Sequence, residues 1–185
     1  MGLDMYLNRV PKVESIEELE KMETRLSKAY YAGKLEEELK EIQKEKGFKK
    51  PIIYKIDEYV GNEQEYLEEN KKYHSPKISL EEEAGYWRKF NALHAWFVKT
   101  FQDGVDECQS SIVDPEVLRE LFDKLITINK ENAEDILPTQ GGFFFGGTEY
   151  DEWYWASIEE LTQFLLSFYE KYDFEEHTLV YRASW

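Results

Sequence analysis

Residues 81–101 read Glu-Glu-Glu-Ala-Gly-Tyr-Trp-Arg-Lys-Phe-Asn-Ala-Leu-His-Ala-Trp-Phe-Val-Lys-Thr-Phe. Tyr86, Phe90, Leu93, Phe97 and Phe101 recur at helical spacing, the mark of one buried stripe. The stretch therefore predicts one helix, from Glu81 to Phe101. At about 100° per residue, Trp87, Asn91 and His94 share a side of that helix next to the stripe, and Arg88 projects elsewhere.

Outward from this helix the pattern is mixed. Residues 2–7 are apolar and precede Pro11, which predicts a buried first strand. Ser15 with Glu18 forms a capping-box pair. Ile16, Leu19, Met22, Leu26 and Tyr30 then mark a helix face, and Leu35, Leu39 and Ile42 continue it between Gly33 and Gly47, as in a helical hairpin. Pro51 opens a β-like run, Ile52–Ile56. Residues 57–79 are polar and turn-rich, and predict a mobile excursion. Asp103-Gly104 is a turn, and Asp114-Pro115 starts a helix by cap and first-turn proline. Gly141-Gly-Phe-Phe-Phe-Gly-Gly147 predicts a buried strand. A helix from about Ser157 to Tyr172 and a closing strand from Thr178 complete the chain. Helices outnumber strands, so the expected class is α+β: a small sheet packed by several helices, in a single globular domain over 1–185.

Composition sets limits on function. The chain has 185 residues, about one domain, with 42% hydrophobic and 16% aromatic residues, enough for a core. Cys108 is the single cysteine, so an intramolecular disulfide or Cys-based zinc site is excluded within these residues. The start lacks a basic n-region, and no apolar run is long enough to span a bilayer, so neither a signal peptide nor a membrane role is expected. Net charge is −16. Residues 1–102 carry 20 acids and 18 bases, and residues 103–185 carry 19 acids and 5 bases. Acidity therefore belongs to the part after Gln102. Such a surface disfavours direct nucleic-acid binding and attracts basic protein surfaces, or simply keeps the chain soluble.

Several residues can carry chemistry. Trp87, Asn91 and His94 can hold a planar ligand by stacking and hydrogen bonds, and His94 can act as a general base. Asn91 and His94 can equally bond neighbouring backbone. Asp103, Asp106 and Glu107 place three carboxylates in one turn, at a spacing that matches no EF-hand loop. The paired glycines at 141–142 and 146–147 permit tight turns or a close backbone approach to a ligand. Tyr150, Asp151 and Trp153 suit either a recognition surface or the start of a helix. No Walker A, Rossmann, nucleophile-elbow or zincin motif occurs. The expected ligand or partner site is Trp87, Arg88, Asn91, His94, Asp103, Asp106, Tyr150, Asp151 and Trp153. No residue is assigned to catalysis or to a metal, and no cofactor is called for.

Four stretches carry a resemblance. They are Met1-Gly-Leu-Asp-Met-Tyr-Leu7; Gly85-Tyr-Trp-Arg-Lys-x-Asn-Ala-x-His-x-Trp-Phe97 with Gln102-Asp-Gly-Val-Asp106 and Cys108; Leu137-Pro-Thr-x-x-Gly-Phe-Phe-Phe-Gly146 with Thr148-x-Tyr-Asp-x-x-Tyr154; and Tyr181-Arg-Ala-Ser-Trp185. Together they resemble a family common in bacteriophage and prophage genomes. Residues 12–79 carry no motif of it. The resemblance implies a context: a phage or prophage accessory protein in the cytoplasm of a bacterial host cell. Three functions remain open at this point. One is a non-catalytic binder that neutralises a host component, as in counter-defence. The second is a binder of a small polar, nucleotide-type ligand. The third is a small enzyme using His94 and Arg88.

Overall fold

Along the chain the elements are β1 (Asp4–Pro11), α1 (Ile16–Tyr31), α2 (Leu35–Lys46), β2 (Lys55–Ile56), β3 (Ile78–Ser79) and β4 (Glu82–Arg88), then α3 (Asn91–Phe101), β5 (Ser111–Val113), α4 (Pro115–Leu125), α5 (Ala133–Ile136), α6 (Glu152–Lys171) and β6 (His177–Ser184). They belong to a computed structural model that describes residues 2–56, 64, 68, 77–142 and 145–185. The class is α+β, as the sequence predicts, with a four-stranded antiparallel sheet ordered β4-β1-β6-β5 and a two-stranded sheet, β2-β3. The chain divides into two compact units.

The first unit comprises Met1–Asn8, Glu83–Phe174 and Leu179–Trp185. Here the helix expected over 81–101 is corrected: β4 precedes α3, and a turn joins them. Lys89 takes a left-handed φ of 57°, which no helix interior accepts. Its amide donates to Leu3 O at 2.8 Å and so prolongs strand pairing. Before it, exposure alternates with period two: Tyr86 is 42% exposed and Trp87 only 6%. Two helical repeats in the letters thus concealed a strand whose aromatic residues face opposite ways. Trp87 packs edge-on against Phe164 of α6, with ring centroids 5.0 Å apart.

Other expectations fare better. The first strand is buried through Leu3, Met5 and Leu7. Asp114 caps α4 by accepting the Glu116 amide at 2.9 Å, and Leu118, Leu121 and Leu125 enter the core. Helix α6 starts five residues earlier than Ser157, because Asp151 accepts the amides of Trp153 and Tyr154 at 3.0 and 3.1 Å. The strand expected at 141–147 is a correction as well. The described residues form a turn, with the Phe145 amide donating to Gly142 O at 3.2 Å and Gly146 at φ 92°. Phe143 and Phe144 lie outside the described residues.

The second unit comprises Arg9–Glu82 and Glu175–Thr178. Ser15 accepts the Glu18 amide at 3.1 Å, and the Glu18 carboxylate accepts the Glu14 amide at 2.7 Å, a capping box closed one residue early. Leu19, Met22 and Leu26 are buried on α1, as expected, whereas Tyr30, expected on the same face, is exposed. Arg25 of α1 ties Glu38 and Glu45 of α2, so the expected helical hairpin forms. Glu23 and Ser27 of α1 are buried because they serve the backbone of the neighbouring segment: Ser27 Oγ accepts the Ile78 amide at 2.9 Å and Glu23 the Leu80 amide at 2.8 Å. The run at 52–56 contracts to the exposed pair Lys55–Ile56. The excursion expected over 57–79 falls mostly on residues 57–63, 65–67 and 69–76, outside the described residues.

Gly85 is where this fold is least tolerant. A Cβ there would stand 2.7 Å from Trp87 and 2.8 Å from Phe164. Gly85→Ala is expected to cost about 1–3 kcal/mol by overpacking. The measure is the urea midpoint at constant m-value; an unchanged midpoint would mean that the two rings move aside freely.

Candidate functional site

All the site residues expected from sequence lie in the first unit, where the structure distributes them over separate places. The most buried is His94 on α3, 1% exposed. Its Nε2 donates to Asp106 Oδ2 at 2.9 Å, and its Nδ1 meets the Tyr181 hydroxyl at 2.7 Å. A carboxylate can only accept, so Nε2 carries a hydrogen, and with a neutral ring the tyrosine hydroxyl donates to Nδ1. Asp106 Oδ1 also accepts the Trp185 indole N–H at 3.2 Å. Phe145 covers the imidazole edge-on at 5.0 Å, and Tyr181 stacks on Phe97 at 3.9 Å. Burial pushes the Tyr181 hydroxyl far above its ordinary range. The chain Trp185–Asp106–His94–Tyr181 is a polar network that runs from the buried His94 and Tyr181 out to Trp185, which is 43% exposed.

Asn91 opens α3 and clamps a distant loop. Its amide nitrogen donates to Phe145 O at 3.2 Å and Gly147 O at 2.7 Å, and its oxygen accepts the Gln140 amide at 3.0 Å. So Asn91 does bond backbone, as one reading of the sequence allowed, but backbone about fifty residues away (from Gln140 to Gly147) rather than its neighbours. His94 bonds side chains instead. Trp87, placed beside them by the helix expectation, belongs to the core.

Arg88, Asn91, Asp151 and Trp153 do meet, in a cleft of about 350 Å³. One wall is the turn between β4 and α3, with Arg88 and Lys89; the other is the start of α6, with Glu149, Asp151 and Trp153. Gly146 brings the loop onto the Lys89 backbone, where a Cβ would sit 3.4 Å from Lys89 O. This is the close backbone approach that its glycine permits. Trp153 is 74% exposed while its neighbour Tyr154 is buried, its hydroxyl donating to Leu137 O at 2.9 Å. Tyr150 stands beside the cleft, accepting the Thr139 amide at 3.4 Å and packing edge-on against Tyr154 at 4.9 Å. The helix-start reading of 150–153 is realised through Asp151, and Trp153 beside it is left exposed. Arg88 lies 3.5 Å from Asp4.

Asp103 joins neither group; it is exposed in the turn, at φ 52° beside Gly104. Among the described residues no cluster of three or more His, Cys, Asp or Glu could hold a metal, and no helix is long and apolar enough to cross a membrane. Sequence reasoning missed Tyr181 as the partner of His94, and Lys89 and Glu149 as cleft residues. All three stand within or beside the quoted motifs, but no spacing rule links residues so far apart. No family model, curated protein or solved structure matches the chain.

Two outcomes follow from these bonds. Asn91→Ala strips three backbone groups of their partner, and is expected to cost about 1–3 kcal/mol and to speed hydrogen exchange at the Gln140 amide. Alkali acts through the tyrosines. Burial raises Tyr154, Tyr169 and Tyr181 above the usual value near 10. Below that value both folded and unfolded chains keep these protons; above it only the unfolded chain releases them, so rising pH favours unfolding. The urea midpoint should fall steadily above about pH 10, and Tyr181→Phe should flatten part of that fall.

Proposed function

We propose that the chain is a non-catalytic binding protein that captures a component of a bacterial host cell through the cleft of the first unit. The observation that carries this reading is the open ring of Trp153 on that cleft. A large aromatic costs free energy to leave in water, and tryptophan is among the residues that dominate binding interfaces. The cleft also mixes charge, with Arg88 and Lys89 facing Glu149 and Asp151. Mixed charge favours a specific partner over a uniformly acidic decoy. His94, the residue best suited to acid–base work, is buried with both nitrogens engaged, which supports binding rather than turnover. The resemblance of the quoted motifs supplies the setting: a phage or prophage accessory protein that neutralises a host factor, such as a defence component, in the bacterial cytoplasm.

One observation favours a second reading. A volume of about 350 Å³ suits a small polar ligand of nucleotide type. Melting temperature separates the two, since a ligand that binds only the folded state raises it. For the first reading, the immobilised chain is exposed to bacterial lysate and its retained proteins are quantified. Trp153→Ala, a surface change with little expected effect on stability, should reduce retention of a specific partner at least about tenfold, the scale of an interface hot spot. Retention equal to that of the unaltered chain would remove the cleft from this role.

A further inference from the structure

The cleft holds two opposite charges that do not meet. Lys89 and Glu149 both line it, and neither has an ion-pair partner among the described residues. Lys89 is anchored by its amide on Leu3 O, and Glu149 precedes the capped start of α6. Trp153 lines the same cleft and is 74% exposed.

Resting on the binding role of this cleft, we propose that its occupant is an arginine-bearing segment of the partner protein. The guanidinium lies on the Trp153 indole and bonds the Glu149 carboxylate, while an acid of the same segment reaches Lys89. Three considerations select arginine. A planar, weakly hydrated guanidinium stacks on an indole face better than a compact ammonium does. Its fork of donors suits a carboxylate at the rim. The chain's net charge of −16 attracts cationic segments to it. The positive end of the α6 dipole would oppose a cation, but Asp151 already accepts two of its free amides and carries negative charge there. The second wall sets the specificity. Arg88 and Lys89 repel a purely basic segment, so the favoured sequence alternates charge, with an acid a few residues from the arginine.

The probe is the blocked peptide Ac-Gly-Arg-Ala-Ala-Glu-Gly-NH2, with counterparts carrying citrulline or lysine in place of arginine. The readout is the indole N–H resonances of the ¹⁵N-labelled protein, that of Trp153 identified by its loss in Trp153→Phe. The arginine peptide should shift the Trp153 resonance saturably. Citrulline in the peptide, or Glu149→Gln in the protein, should each weaken binding several-fold, and lysine should bind more weakly than arginine. Absence of a saturable shift, or equal binding of the citrulline peptide, overturns the arginine assignment. If that happens while Trp153→Ala still abolishes partner retention, the cleft keeps its binding role and only its chemistry is wrong. If Trp153→Ala also retains the partner, both fall.

Discussion

The buried imidazole of His94 must satisfy two nitrogens away from water, and the way it does so organises the first unit. A polar ring at that depth costs several kcal/mol unless both nitrogens are bonded, roughly the scale of a whole buried amide. Asp106 answers one nitrogen and Tyr181 the other. These two groups come from a loop after α3 and from β6, so the bonds fix where that loop and that strand sit relative to the helix. Trp185 extends the network through the second oxygen of Asp106. Phe145 covers the imidazole and Phe97 stacks on Tyr181. A fully satisfied network of this kind rigidifies its surroundings. Its imidazole is 1% exposed, whereas Trp185 at its outer end is 43% exposed.

Asn91 stands three residues before His94, less than one helical turn, and carries that order to the cleft. Its three bonds hold the glycine-rich loop against the start of α3. The loop forms the floor on which Lys89 and Gly146 approach each other. The left-handed turn at Lys89 has a modest conformational cost for a non-glycine residue. That cost is offset by strand pairing through its own amide. The result is a rigid, charged wall opposite an exposed indole. The backbone of that wall is fixed, whereas the exposed Arg88, Lys89 and Trp153 side chains keep rotamer freedom that contact would cost.

The second unit obeys the same rule of polar satisfaction with different residues. Glu23 and Ser27 lie on the buried face of α1, positions at which the helical period calls for apolar side chains. There they accept the amides of Ile78 and Leu80, backbone donors buried against the helix. Arg25, one position from the buried face, spans to three carboxylates of α2, those of Glu38, Glu41 and Glu45. The hairpin is thus held by charge on its outer side and by apolar packing through Leu19, Met22 and Leu26 beneath.

The α+β class, the helical hairpin, the cap at Asp114 and the closing strand were all legible in the letters. They rest on local preferences: apolar period, capping side chains, and glycines at helix ends. The same local reasoning mistook 81–101 for one helix. Tyr86, Phe90 and Leu93 satisfy the helical period, yet Lys89 turns the chain, and only pairing with β1 makes an extended Glu82–Arg88 cheaper than a further two turns of helix. The site divided in the same manner. Sequence alone marked Arg88, Asn91, His94, Asp106, Asp151 and Trp153 as unusual, because polar and aromatic groups crowd the edges of apolar runs there. It could not say which of them meet. His94 reaches Tyr181 across eighty-seven positions and Asn91 reaches Gly147 across fifty-six. Contacts of that range depend on how strands pair and helices pack, not on any spacing along the chain. Local chemistry therefore determined the elements and the candidate residues, while tertiary packing decided that the histidine would be sealed in and the tryptophan left open.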